Sequence, residues 1–80
     1  MKYVYLLRSE STPNQTYVGS TADFAERLKQ HNAGKSPYTA RFRPWRPVVV
    51  LRFDDDQKAE KFERYLKSGS GHAFAKRHFW

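Results

Sequence analysis

Residues 16–31, T-Y-V-G-S-T-A-D-F-A-E-R-L-K-Q-H, carry the pattern that decides the fold of this chain. The first few positions predict a short β-strand. Phe24 and Leu28, four residues apart, predict a helix that packs one face against a sheet. Gly19 separates the two segments, and Gly34 is a natural end for the helix. We therefore predict a strand-to-helix corner around which the rest of the chain is arranged.

Three polar side chains of this corner are of types that act on phosphate esters. Tyr17 belongs to the predicted strand, whereas Arg27 and His31 are four residues apart on one face of the helix. A guanidinium can bind phosphate through two parallel hydrogen bonds, and an imidazole can transfer protons near neutral pH. A solvated helix face explains the same spacing of Arg27 and His31, so this alternative stays open.

The composition indicates one small domain with a polyanionic partner. The 80 residues carry a formal net charge of +7 and contain no cysteine, which excludes disulfides and thiolate metal sites. The N-terminal segment M-K-Y-V-Y-L-L-R is too short and too soon charged for a signal peptide or a spanning helix. Basic residues alternate with aromatic ones, which favours nucleic acid over a merely solvated basic surface. We expect a single domain over residues 1–80, cytoplasmic and without membrane contact.

Two further segments complete the predicted sheet. Residues 2–8 are apolar on both faces, which is typical of a central strand, and should pair with the strand of Tyr17 as an antiparallel hairpin. Residues 48–53 form a mostly apolar run that predicts the third strand. The three aspartates at 54–56 can cap a second helix, and residues 72–77 should form a last helix or turn.

Two more candidate site residues lie outside the corner. Tyr5 should lie beside Tyr17 across the hairpin, although a phenol with an ordinary pKa of about 10 needs nearby cations to lose its proton. Glu63 lies at the edge of the apolar stripe of the second helix, where a carboxylate suits a hard cation such as Mg²⁺. The alternatives are that both tyrosines are ordinary sheet aromatics and that Glu63 forms an ion pair with Lys67.

The segment 35–47 is predicted to be a loop that contacts nucleic acid. It mixes three prolines with four basic residues and three aromatic ones. Such a mixture suits single-stranded or distorted nucleic acid, in which bases stack and phosphates pair. The alternative is that Phe42 and Trp45 fold back over the small core, as the position of Trp45 between Pro44 and Pro47 allows. The residues predicted to contact substrate are Gly19, Lys35, Arg41, Arg43, Arg46 and Lys67.

Taken together, these residues resemble the GIY-YIG nuclease family. Y-V-Y at residues 3–5 and Y-V-G at 17–19 look like its two tripeptides. The likeness continues through G-S-T at 19–21, R-L-x-Q-H-N at 27–32, Thr39, R-P-W at 43–45 and F-E at 62–63, so it covers nearly the whole chain. The most similar group is the small single-domain bacterial branch, which is similar to the catalytic domain of a eukaryotic structure-specific endonuclease.

The resemblance implies an α+β fold, with a small three-stranded antiparallel β-sheet flanked by three helices. It implies that Tyr17 is the general base or positions the attacking water, with Tyr5 hydrogen-bonded beside it. Arg27 would stabilise the charge on the scissile phosphate, and His31 would assist as proton carrier or phosphate contact. Glu63 would be the only protein carboxylate on one Mg²⁺ or Mn²⁺ ion.

The leading prediction is a metal-dependent DNA endonuclease that hydrolyses phosphodiester bonds. Its substrates would be branched or single-stranded DNA in repair or recombination, and a protein partner would supply substrate choice. Two departures from the family pattern motivate an alternative: Tyr3 replaces the first glycine, and no asparagine follows Glu63. The alternative is a non-catalytic nucleic-acid-binding module on the same scaffold. A protein-interaction domain is the third hypothesis.

Overall fold

A computed structural model describes all 80 residues as an α+β fold. The strands are β1 (Lys2–Ser9), β2 (Thr16–Thr21) and β3 (Trp45–Phe53), in an antiparallel sheet of order β2-β1-β3. The helices are α1 (Phe24–Asn32), α2 (Pro37–Ala40), α3 (Asp56–Leu66) and α4 (Gly69–His78). None of them has the length and apolar character needed to cross a bilayer. The predicted three-stranded antiparallel sheet is confirmed, but four helices accompany it instead of three.

The central strand β1 is covered on both faces, as its apolar pattern predicts. Val4 and Leu6 are fully buried against α3 and α4. Tyr5 and Leu7 are buried on the other face together with Trp45, on the side of α1. Successive side chains of a strand point to opposite faces, so this alternation decides which residues meet α1.

The β1–β2 hairpin and the ends of α1 position the predicted corner. Tyr5 pairs with Gly19 across the hairpin. The Asp23 side chain caps α1 by accepting a hydrogen bond from the backbone N–H of Glu26 at 3.1 Å. Gly34 follows the helix with φ of +79°, a conformation that glycine adopts readily, so the predicted stop is confirmed.

The segment 35–47 is not a plain loop, so the prediction was wrong in part. Pro37 begins α2, a position that suits a residue without an N–H. The strand β3 already begins at Trp45, whose indole Nε1–H donates to the carbonyl oxygen of Thr39 at 2.7 Å. Pro47 is tolerated inside this strand because β3 is an edge strand, and its pairing with β1 is irregular at that point.

Helix α4 begins earlier than predicted, at Gly69 instead of residue 72. Ser68 is its N-cap, because the side-chain oxygen accepts a hydrogen bond from the N–H of Gly71 at 3.3 Å. A β-carbon on Gly71 would lie 1.7 Å from the carbonyl oxygen of Tyr65, so α4 packs on the end of α3 only with glycine there. The serine-glycine segment is therefore both a helix stop and a new N-cap.

Candidate active site

A cluster of rings lies where β1, β2 and α1 meet. The ring centroids of Tyr5 and Tyr17 are 6.3 Å apart. The imidazole of His31 lies with its centroid 5.9 Å from that of Tyr5 and 5.0 Å from that of Tyr17. The structure thus brings together three of the predicted site residues from two strands and one helix.

Gly19 makes this close approach possible. A β-carbon at this position would lie 2.6 Å from the hydroxyl oxygen of Tyr5 and 2.9 Å from Cε2 of Tyr17. These separations are well inside van der Waals contact, so any larger residue would displace one ring or both. Gly19 therefore has a steric role in the site, and its contact with substrate stays a prediction.

His31 is completely buried and hydrogen-bonded at both ring nitrogens. The Tyr5 hydroxyl lies 3.0 Å from Nε2, and Oγ1 of buried Thr39 lies 2.7 Å from Nδ1. Thr39 donates its own hydroxyl hydrogen to the carbonyl oxygen of Ser36 at 3.4 Å, so Nδ1–H donates to Thr39 and Tyr5 donates to Nε2. The solvated-face alternative is wrong for His31, and the ring has no exposed surface for a direct phosphate contact.

Tyr5 and His31 are both neutral at physiological pH. Burial is the main cause that raises the pKa of Tyr5 to about 12, with Tyr17 and Glu63 adding to it and Arg27 opposing it. Burial also lowers the pKa of His31 to about 4, and the positive charge of Arg27 acts in the same direction. A neutral imidazole fixed at both nitrogens positions the Tyr5 hydroxyl. The proton-carrier role of His31 stays a prediction.

Tyr17 has a more open environment than Tyr5. It is half-buried, and no hydrogen bond joins its hydroxyl to the protein. No buried side-chain oxygen or nitrogen of the chain lacks a partner, so the Tyr17 hydroxyl must reach solvent. Of the two neighbouring phenols, Tyr17 is the one available to a water molecule or a substrate.

Arg27 contributes an unpaired positive charge to the cluster. Its Nη1 donates to Oε1 of Gln30 at 3.0 Å, and no carboxylate forms an ion pair with it. Its positive charge opposes the rise in the pKa of Tyr5 and adds to the fall in the pKa of His31. A guanidinium without a protein carboxylate is suited to a phosphate.

Glu63 approaches from the other face of the sheet. Its Oε1 accepts a hydrogen bond from the Ser20 hydroxyl at 2.7 Å, and its Oε2 accepts one from Nζ of Lys67 at 2.8 Å. Ser20 faces α3, so Glu63 and Tyr17 lie on either side of β2. No hydrogen bond joins Glu63 to the phenols or to the guanidinium, but its charge contributes to the raised pKa of Tyr5.

The carboxylate of Glu63 is ionised, and its surroundings suit a cation that keeps most of its waters. Burial acts to raise the pKa of Glu63, but hydrogen bonds from Lys67 and Ser20 outweigh it and hold the pKa below its usual range. No three His, Cys, Asp or Glu side chains lie close enough to enclose a metal ion. Mg²⁺ can bind through a single carboxylate, substrate phosphate and water, so Glu63 fits such an ion if Lys67 releases Oε2. The alternative ion pair with Lys67 is present.

The basic side chains predicted to contact substrate fall into two groups. Those between α1 and the start of β3 are exposed and have no ion-pair partner; they are Lys35, Arg41, Arg43 and Arg46. Lys67 lies at the end of α3 and is paired with Glu63. No hydrogen bond joins the first group to the tyrosines, so their contact with substrate stays a prediction.

Only one of the three aromatic residues proposed for base stacking remains exposed. Tyr38 is 49% exposed, whereas Trp45 is only 2% exposed. Phe42 is half-buried and lies against the core cluster that contains Trp45. The fold-back alternative is therefore confirmed for Trp45 and, in part, for Phe42.

Three residues that support the site were not predicted to do so. Thr39 orients His31, Ser20 orients Glu63 and Gln30 orients Arg27. A single hydroxyl on a short side chain has no sequence pattern of its own, and Thr39 points inward only because α2 turns the segment back on itself. The spacing of three between Arg27 and Gln30 on one helix, and the place of all three residues in the family resemblance, were the available signals.

The fold and the side chains around Gly19 define a small α+β domain with a candidate site for phosphate esters. Comparison with known proteins identifies the type: the family model of the GIY-YIG catalytic domain matches residues 1–77. The chain therefore belongs to the GIY-YIG family, and the predicted resemblance to this family is confirmed.

Fungal relatives carry a domain similar to this one. The chain is 49% identical over 63 residues to the structure-specific endonuclease subunit SLX1 of Malassezia globosa, covering 74% of this chain and 14% of the relative. It is 48% identical over 67 residues to the protein of that description from Scheffersomyces stipitis, covering 75% and 20%. The chain therefore spans a fifth or less of the length of these two relatives.

A solved bacterial structure has the same fold. The solution NMR structure of a UPF0213 protein from Bacillus halodurans superposes with a TM-score of 0.56 at 30% sequence identity. The match covers 96% of this chain and 84% of that chain. The likeness extends over all of the sheet and the helices that position the site.

Proposed function

We propose that this chain is a metal-dependent endonuclease domain that hydrolyses phosphodiester bonds in DNA. The observation that carries the proposal is the contrast between its two neighbouring tyrosines. Tyr5 is buried, neutral and hydrogen-bonded to His31, whereas the Tyr17 hydroxyl reaches solvent without a protein partner. Such an arrangement assigns the reacting phenol to Tyr17 and the supporting phenol to Tyr5.

Tyr17 orients the attacking water and, as a phenolate, accepts its proton. Attack forms a new bond from the water oxygen to phosphorus and breaks the bond from phosphorus to the leaving oxygen. Arg27 donates hydrogen bonds to the phosphate oxygens that gain negative charge during this step. Tyr5 stays protonated because of its raised pKa, and His31 holds it in place.

Glu63 is the residue that would hold the divalent cation. When bound, Mg²⁺ or Mn²⁺ supplies stabilisation of the negative charge on the leaving oxygen. Ser20 keeps Oε1 of Glu63 oriented, and Lys67 releases Oε2 to make the carboxylate available. Once released, Lys67 is free to contact a phosphate of the substrate.

The proposed partner is DNA, a polyanion that complements the net charge of +7. The four exposed basic residues between α1 and β3 have no acidic partner, so they attract phosphates and would release counterions on binding. The fungal relatives are described as subunits of a structure-specific endonuclease. Their description supports a substrate chosen by its structure and an assembly with another subunit. We propose branched DNA in repair or recombination as that substrate, and a protein partner that selects it. We keep the cytoplasm as the proposed location.

The second candidate function is a nucleic-acid-binding module without useful catalysis. It is favoured by the ion pair that occupies Glu63 and by the lack of an asparagine beyond that residue. This candidate expects DNA binding that needs no metal, weakens with salt and leads to no cleavage.

Cleavage of labelled flap, branched, single-stranded and duplex DNAs, with and without Mg²⁺ or Mn²⁺, distinguishes the two candidates. We expect metal-dependent cleavage that falls by about 100-fold or more in Tyr17→Phe and in Glu63→Gln. Glu60→Gln is the matched control, because Glu60 lies on the same helix and pairs only with Lys2. Absence of metal-dependent cleavage on all of the DNAs would favour the binding module. Equal cleavage by Glu63→Gln would show that the activity comes from a contaminating nuclease, which also favours the binding module.

A further inference from the structure

An open groove follows the free edge of β2, next to the candidate active site. The strand pairs with β1 on one side only, so its other edge has no partner strand. The groove has a volume of about 340 Å³ and is lined by Tyr17 and Val18 of β2, Tyr38 of α2, and Lys67 and His72 of the α3–α4 junction. This volume is within the range of ligand sites, roughly 300–1,000 Å³.

The groove is continuous with the catalytic side chains. Tyr17 belongs to both, and its ring centroid lies 6.1 Å from that of Tyr38. Lys67 lines the groove and also donates to Glu63 at 2.8 Å. A group in this groove is therefore adjacent to a phosphate that reacts at Tyr17.

The lining combines an aromatic face with positive charge. Tyr38 is 49% exposed, so part of its ring is accessible to a ligand. Lys67 and His72 are exposed basic side chains, and no carboxylate lines the groove. An aromatic face beside basic groups is the combination that binds nucleobases and phosphates of single-stranded nucleic acid.

We propose that this groove binds one unpaired nucleotide directly beside the scissile phosphate. The inference rests on the function proposed above and narrows its substrate class. The base stacks on Tyr38, and the phosphate accepts hydrogen bonds from Lys67 and His72. A base inside a continuous duplex is already paired and stacked, so the preferred substrate is DNA with an unpaired nucleotide at the cleavage point.

A protein strand added to the free edge of β2 is the competing occupant of the groove. Backbone hydrogen bonds would hold such a strand, and replacing the Tyr38 side chain would not remove them. The two basic side chains and the lack of a carboxylate favour the polyanionic ligand.

The test is the fluorescence of 2-aminopurine placed at the unpaired position of a flap DNA. Binding is measured in EDTA, so that no cleavage occurs. We expect the wild-type protein and Tyr38→Phe to quench the probe, and Tyr38→Ala to lose the quenching and to bind about tenfold more weakly. Tyr65→Ala is the matched control, because Tyr65 is 39% exposed and lines a different surface, between α3 and α4. It should behave like wild type.

Two results would overturn the inference: unchanged quenching in folded Tyr38→Ala, or an equal loss of affinity for the fully paired duplex. If Tyr38→Ala does not fold, Tyr38→Leu keeps the apolar contact with Phe42, removes the aromatic face and serves in the same comparison. Cleavage without Tyr38-dependent quenching refutes the groove and leaves the nuclease function intact. Quenching without cleavage by any form of the protein refutes the nuclease function and leaves the groove intact.

Discussion

The Tyr5 hydroxyl donates a hydrogen bond of 3.0 Å to Nε2 of His31 at a point where neither residue is more than 1% exposed. Together with the contact of 2.7 Å between His31 and Thr39, this bond ties β1 to α1 and α2. The candidate site therefore has a buried supporting half and a half that faces solvent. Tyr17 and Arg27 belong to the second half.

The first prediction separates these two halves by removing one hydroxyl at a time. Tyr5→Phe leaves the buried Nε2 of His31 without its donor, and it should lower the free energy of unfolding by about 1–3 kcal/mol. Tyr17→Phe removes a hydroxyl that already reaches solvent, so its effect on stability should stay within about 0.5 kcal/mol. Urea unfolding of both variants measures the difference. Equal losses would contradict the division of the site.

The second prediction concerns the pH dependence of stability. Burial lowers the pKa of His31 from its ordinary 6.5 to about 4, so the unfolded chain takes up a proton at a higher pH than the folded chain does. The stabilisation is complete above pH 6.5 and is lost as the pH falls towards 4, by a total of about 3 kcal/mol. Unfolding free energies measured between pH 7 and pH 4 should show this slope, and those of His31→Gln should not.

The carboxylates give a control for that measurement. The pKa values of Glu63 and Asp56 are also lowered, from 4.5 and 3.8, so their contributions are lost mostly below pH 4.5. The interval between pH 6.5 and 4.5 therefore reports on His31. A wild-type slope in this interval equal to that of His31→Gln would show that the imidazole is not shielded from protonation.

The strands of the sheet could be predicted from the sequence, but the burial of the site residues could not. The doubly apolar β1 and its antiparallel hairpin with β2 follow from the sequence pattern, whereas the register that pairs Tyr5 with Gly19 does not. Periodicity on α1 puts Arg27 and His31 on one face, but it does not reveal that His31 is buried. That outcome depends on Thr39, which is brought to Nδ1 by the tertiary packing of α2 and not by any local pattern.

The third prediction is that Gly19→Ala damages the site by steric conflict. The added β-carbon would lie 2.6 Å from the Tyr5 hydroxyl oxygen, so the ring must move away from His31. We expect a loss of about 1–3 kcal/mol in stability and loss of cleavage. Gly69→Ala is the matched control, because a β-carbon there meets no atom within 4 Å. A Gly19→Ala protein with wild-type stability and activity would show that the close packing is not required.

The fourth prediction concerns the competition between Lys67 and a metal ion for Glu63. Lys67→Met removes the ammonium that donates to Oε2, so the carboxylate should bind Mn²⁺ about two- to fivefold more tightly, in line with the ~0.5–1 kcal/mol of a partly exposed ion pair. Titration of Mn²⁺ followed by electron paramagnetic resonance measures this without substrate. Lys58→Met, which removes an unpaired charge on the same helix, should leave the affinity nearly unchanged. Equal shifts in the two variants would point to general electrostatics instead of the specific pair.

The fifth prediction tests the unpaired basic residues of the segment from Arg41, at the end of α2, to Arg46, at the start of β3. Each phosphate contact that is lost should reduce the slope of log K against log salt by about 0.9 for duplex DNA and about 0.7 for single strands. The double variant Arg41→Gln, Arg46→Gln should therefore reduce the slope by up to twice that amount. It should weaken binding to all DNA structures alike. The control is Lys58→Gln with Lys61→Gln on α3, which removes the same net charge at a distance from this segment. If both pairs flatten the slope equally, the attraction comes from net charge alone, and the segment between α2 and β3 is not a DNA contact.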